Sequence, residues 1–238
     1  MSTPPFVQVA LDPTLIKGVY DTCDQWCMYC PVTQRCLAYR CSPEIASGKQ
    51  DIHRSLADRL YEGIMFLKRL SEAEGGDTSE IDAMLSNDPR ETTQLIPIDD
   101  PIERMGRRYA HLTNAFLASH PNFPFDMRRR PTGPTPFEVF AWFHALIPAK
   151  LYRALISAAT AARGDASRHD DALISAKIAL TGIDRSLEAL AVMATEDDDA
   201  RLEMMQAHLR RMRREVDGRF PEARRFVRPG LDDGQGVC

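Results

Sequence analysis

The chain has 238 residues, of which 44% are hydrophobic and 27% charged, and its formal net charge is −4. Such a chain is long enough to bury a core of its own, and its mild acidity argues against a dedicated nucleic-acid binder, which is usually basic overall. The N-terminus lacks a basic stretch followed by an unbroken apolar run, and no segment reads as the roughly 18 apolar residues of a membrane span. A cytoplasmic setting is therefore expected, where thiols stay reduced and clustered cysteines bind metal or do redox chemistry.

Five of the six cysteines lie in "CDQWCMYCPVTQRCLAYRC", residues 23–41: Cys23, Cys27, Cys30, Cys36 and Cys41. The sixth, Cys238, is the last residue and reads as an ordinary thiol on a tail. If the stretch up to Cys30 is helical, Cys23, Cys27 and Cys30 share one face at i, i+4 and i+7. Pro31 then ends that helix, and a tight loop returns Cys36 to the same place. Four convergent thiolates on short spacings plus one return are what a [4Fe–4S] cube requires. Trp26, Met28 and Tyr29 would shield it from water. The predicted ligands are Cys23, Cys27, Cys30 and Cys36, with Cys41 as the alternative fourth. Structural zinc is the alternative metal, since four thiolates also close a tetrahedral site. Zinc sites usually come as two knuckles separated by a longer loop, whereas this chain has one crowded knot. No histidine precedes His53, which leaves a mixed Cys/His site without its imidazole.

Two local resemblances bear on the same residues. "CDQWCMYC" resembles the C-x3-C-x2-C signature of radical S-adenosylmethionine enzymes, with Tyr29 before the third cysteine. That resemblance implies three thiolates on a [4Fe–4S] cluster and a β/α barrel, whose strand patterns this chain lacks. "CMYCPVTQRCLAY", residues 27–39, resembles the cluster loop of the endonuclease III and adenine-glycosylase family. Cys27, Cys30-Pro31 and Cys36 match that loop's last three ligands in spacing, while Cys23 stands closer to Cys27 than the family's first ligand does. This resemblance implies what the cysteines bind. It carries over no glycosylase activity, because no helix–hairpin–helix stretch is present.

Beyond the cysteines the chain reads as helix. Asp51 to Leu70 keeps Leu56, Leu60, Ile64 and Leu67 at three-to-four spacing, and Gly75-Gly76 stops it. A second helix opens with Asp100 as N-cap and Pro101 at its first position, carrying Ile102, Met105, Tyr109, Leu112 and Phe116. A third opens with a capping box, Thr135 and Glu138, and runs to about Arg163 with a kink expected at Pro148. The fourth, Ser167 to Thr195, bears Leu173, Ala176, Leu180, Ile183, Leu187 and Leu190. The fifth bears Leu202, Met205, Leu209, Met212 and Val216. Residues 86–100 and the proline-rich 120–136, with arginines at 128–130, read as linkers. The expected architecture is all-α: a bundle of about five main helices over residues 51–230, on which a Cys-rich segment, residues 1–50, packs within one domain.

Other features carry less. No Glu-x-x-His pair exists for a di-iron site. His144, beside Trp142, reads as a core histidine or as the proton carrier of a bundle pocket in a helical enzyme. Lys177, Thr181, Asp184 and Glu188 form a polar stripe that reads as a solvated face. Arg210, Arg211, Arg213 and Arg214 read as the solvated back of the last helix, or as phosphate contacts of a nucleic-acid-associated protein with a structural cluster. A closed, fully cysteine-ligated cluster favours electron transfer or redox and cluster sensing with a protein partner over catalysis at the metal.

Overall fold

The computed structural model describes residues 9, 12–41, 64–65, 68–69, 71–73, 75–86, 98–120 and 132–233. Among them helices alternate with turns and none is in a strand, as the sequence predicts. The chain divides into two compact units: Met1–Lys17 with Thr33–Pro97, and Gly18–Val32 with Ile98–Cys238.

The second unit is built on four long helices: α1 (Pro101–Ala118), α2 (Pro136–Ala162), α3 (Arg168–Glu196) and α4 (Ala200–Arg219). Each packs on the next and α4 returns to α1, so the four close a ring around one core. The starts of α1 and α2 follow from their caps. Asp100 accepts from the Ile102 N–H at 2.8 Å, satisfying one of the donors a helix N-terminus leaves open, and Pro101 needs none. At α2 the capping box is complete: Thr135 Oγ1 accepts from the Glu138 N–H, and Glu138 Oε2 accepts from the Thr135 N–H at 2.7 Å. The seam of α4, Leu202, Met205, Leu209, Met212 and Val216, is wholly buried. It meets a core of Tyr109, Phe116, Phe140, Phe143, Ile147 and Leu151. Helix α2 continues through Pro148, against which Gly106 of α1 is placed. By length and composition α2 is apolar enough to cross a membrane, which the sequence reading did not anticipate, yet its large side chains belong to this core.

In the first unit, Gly75 takes φ +73 and the Gly76 N–H reaches back to the Ser71 carbonyl at 2.8 Å. This left-handed helix stop lies where the sequence predicts one. Most of the helix expected over Asp51 to Leu70 lies outside the described residues, as do residues 121–131. Closer to the cysteines, Ile16 N–H bonds the Arg35 carbonyl at 2.9 Å, and Arg40 pairs with Asp12 at 2.6 Å.

Candidate metal centre

The cysteine segment is not one helix. A single turn, Val19–Thr22, stops at Cys23, whose backbone is extended, and a 3-10 turn then spans Cys27–Tyr29. Cys23, Cys27 and Cys30 therefore do not share a helix face at i, i+4 and i+7. The cause is local and tertiary together. Asp24 accepts from the Trp26 N–H at 3.2 Å, the side-chain turn that competes with helix, and Gln25 sits at φ +59, a left-handed value rare for a residue with a Cβ. Two distant residues hold that turn: Trp142 Nε1 donates to the Asp24 carbonyl at 3.1 Å, and Arg185 pairs with the Asp24 carboxylate at 3.0 Å. A non-glycine residue held in the left-handed region by such over-determination belongs to the kind of strain that gathers at functional sites.

The turn presents sulfur to the chain around it. The Gln25 N–H points at Cys23 Sγ at 3.4 Å, and Cys23 Sγ stands 3.6 Å from the Tyr20 carbonyl. Cys23, Cys27 and Cys30 are half-buried. Cys23 and Cys30 line a cavity of about 540 Å³ together with Trp26, Tyr29, Arg185 and Arg228. Its aromatic wall is ordered by ring packing. Trp26 stacks on Trp142 with centroids 5.3 Å apart and meets Tyr29 and Phe143 edge-on at 5.1 and 5.9 Å. Trp26 is 4% exposed, and its indole N–H finds no acceptor among the described residues.

Cations accompany the sulfur. Burial pushes the Lys150 ammonium below its ordinary pKa, Arg153 pushes it the same way, and Cys23, Asp171 and Asp21 favour its charge. Lys150 is 8% exposed and makes no ion pair with a carboxylate among the described residues. Burial also opposes the charge of Arg228, which Asp232, Asp24 and Cys23 support. Both cations thus lie within electrostatic reach of Cys23.

The sulfurs of Cys23, Cys27 and Cys30, as a set of three, do not all fall within 4.8 Å of one another. One tetrahedral zinc asks for less: Zn–S bonds of about 2.3 Å put thiolate sulfurs roughly 3.8 Å apart. A cube sets its thiolates on separate irons and tolerates a wider spread. Cys36 belongs to the first unit, where it is buried and its N–H bonds the Thr33 carbonyl at 3.1 Å. Cys41 ends the short helix Leu37–Cys41 of the same unit, and Cys238 lies outside the described residues.

The other sequence candidates are engaged elsewhere. His144 Nδ1 is 2.5 Å from the Ala141 carbonyl of its own turn, and burial pushes its pKa down. The polar stripe of α3 is solvated only in part: Glu188 is exposed, while Lys177, Thr181 and Asp184 are half-buried. Lys177 pairs with Asp232 at 2.7 Å, and Asp184 accepts from Arg224 at 2.8 Å and Arg213 at 3.3 Å, so the C-terminal residues 220–232 are fastened along it. Arg210, Arg211 and Arg214 are exposed and Arg213 half-buried, all off the α4 seam. His120, Asp197 and Asp199 bring three metal-competent atoms together, a group that no spacing along the chain signals. Arg201 already covers both Asp199 oxygens, and His120 Nδ1 lies 2.8 Å from the Phe116 carbonyl, so this group locks two helix ends.

Compared with known proteins, the chain matches no family model, no curated protein and no solved structure. The likeness of residues 27–39 to the endonuclease III cluster loop thus rests on cysteine spacing and Pro31.

Proposed function

We propose that this is a cytoplasmic [4Fe–4S] protein that transfers electrons or senses redox or cluster status with a protein partner. Cys23, Cys27 and Cys30 are its ligands, with Cys36 as the fourth by its spacing in the sequence. The observation that carries this reading is the cavity on which Cys23 and Cys30 open, lined also by Trp26, Tyr29 and Arg228, with Lys150 within electrostatic reach of Cys23. Thiolate donors, nearby positive charge and a water-excluding wall suit an anionic metal–sulfur group. A cluster bound there would take up and release single electrons. The residues of the chain would do the rest: Trp26, Trp142 and Tyr29 limit water, the Gln25 N–H bonds the Cys23 sulfur, and Arg228 and Lys150 offset its charge.

Serine substitutions with metal analysis test the ligand set. Cys23→Ser and Cys30→Ser are expected to lose most of the iron. Cys36→Ser is expected to lose it or leave a labile three-iron form, while Cys41→Ser keeps it. An exchange of the last two outcomes would move the fourth ligand to Cys41, and iron retained in all four variants would remove the cysteines from the site altogether.

A further inference from the structure

The cavity of Cys23 and Cys30 is walled on one side by residues from the far end of the sequence, Arg228 and Leu231. Phe220 and Ala223 are buried and Phe226 packs against the core, so the chain is anchored as far as Phe226. Beyond it Val227 is 57% exposed, and Pro229, Asp232 and Asp233 are exposed as well. Residues 228–233 are closed on one another. The Arg228 N–H, Nε and Nη2 donate to Asp232 at 3.0, 3.0 and 2.8 Å. The Leu231 and Asp232 N–H groups donate to the Arg228 carbonyl at 3.1 and 3.0 Å, and the Gly230 N–H, at a φ of +73, donates to Asp233 at 3.0 Å. A turn tied internally in this way moves as one piece.

Its fastening to the bundle is polar. Lys177 of α3 bonds the Phe226 carbonyl at the base of the turn and pairs with Asp232 near its tip at 2.7 Å. Apolar burial adds little, since Leu231 is half-buried and the buried Gly230 has no side chain. Segments with few buried apolar contacts open locally at a cost well below that of global unfolding. We propose that residues 227–233 form a flap over the cavity of Cys23 and Cys30, latched by Lys177, and that its release admits solutes to the two thiols. The flap acts in the same way whatever the cavity holds, so it stands apart from the cluster reading above.

The test uses the full chain, purified without oxygen, as wild type, Lys177→Met and Asp232→Asn, with Arg214→Gln on the exposed side of α4 as the control. Each protein is pulsed with N-ethylmaleimide at neutral pH, and labelling of Cys23 and Cys30 is followed by peptide mass spectrometry. Where these thiols carry metal, its withdrawal by excess chelator is timed instead. Hydrogen exchange along α4 is measured alongside as the gauge of the fold as a whole. Losing a charge-assisted hydrogen bond shifts a local opening equilibrium by roughly tenfold, so labelling or metal loss is expected to quicken by about that factor in both latch variants. The control and the exchange of α4 are expected to stay at wild-type rates. Wild-type labelling or metal loss in the latch variants would overturn the proposal. Exchange along α4 quickened by the same factor would assign the effect to general loosening and overturn it too. Where the two variants differ, or Asp232→Asn fails to fold, Lys177→Met decides, because it leaves the bonds within the turn intact.

Discussion

Trp26 and Trp142 stack with their ring planes 8° from parallel, although 116 positions separate them in the chain. The hydrogen bond from Trp142 to Asp24, and the ion pair of Arg185 with the same residue, fasten the cysteine turn to α2 and α3. Trp142→Ala removes one ring of the stack and the donor together. Large-to-small changes of this kind cost about 3–5 kcal/mol in a full core, and half-burial of Trp142 brings the expected loss to about 2–3 kcal/mol. Denaturant unfolding checks it. Trp142→Phe is expected to cost about 1 kcal/mol, and hydrogen exchange should rise chiefly around residues 23–30.

At Gly182, α3 comes close against α2. A Cβ built there would stand 2.8 Å from Phe143 Cδ1 and 3.0 Å from Ile147 Cγ1, both in the buried core. Gly182→Ala should therefore destabilise by about 1–3 kcal/mol through overpacking, against the usual gain of alanine over glycine within a helix. Gly218→Ala on α4, where nothing lies within 4 Å, is the control and should be neutral or stabilising. Thermal melts of the two variants check the pair.

Acid should loosen the C-terminal segment. Burial alone would raise the Asp232 carboxyl, but hydrogen bonds from Arg228 and Lys177 outweigh it and hold the group well below the usual carboxylate range. Asp199, bonded chiefly by the Arg201 side chain, is lowered to about 2. A depressed carboxylate adds stability that is present above its unfolded value of 3.8 and lost as pH falls toward the folded value. Stability is thus expected to fall between about pH 4 and pH 2. At neutral pH, Asp232→Asn should cost about 1–2 kcal/mol and flatten part of that decline. Denaturant midpoints of both proteins from pH 7 to pH 2 would reveal it.

The late arginines should prove nearly inert. Arg210 bonds Gln206 of its own helix, Arg213 reaches Asp184, and the set stands clear of the α4 seam. Replacing Arg210, Arg211, Arg213 and Arg214 with glutamine should change stability by at most about 1–2 kcal/mol and leave metal content untouched. No specific binding to DNA or RNA is expected at physiological salt. A submicromolar affinity that falls steeply with salt and disappears in the variant would make this a nucleic-acid protein instead.

These relationships differ in how openly the sequence displays them. The caps at Asp100 and Thr135 and the α4 seam depend on residues three or four apart, so spacing alone reveals them. The break in the cysteine segment was not legible that way. It depends on Asp24, whose partners Trp142 and Arg185 lie 118 and 161 positions away, and on a left-handed Gln25 that no propensity favours. The polar stripe of α3, exposed at Glu188, is legible only in part for the same reason. Lys177 and Asp184 look solvated until Asp232 and Arg224 arrive from the end of the chain. Thiol spacing disclosed the candidate ligands, whereas the aromatic stack and the flanking cations are products of packing.

Iron and acid-labile sulfide per chain, measured on protein purified without oxygen, decide whether the cysteines hold a cluster. The expected result is brown protein with about four irons and four sulfides per chain and a broad absorption shoulder near ~400 nm from thiolate-to-iron charge transfer. Colourless protein carrying about one zinc per chain, and no sulfide, would contradict it.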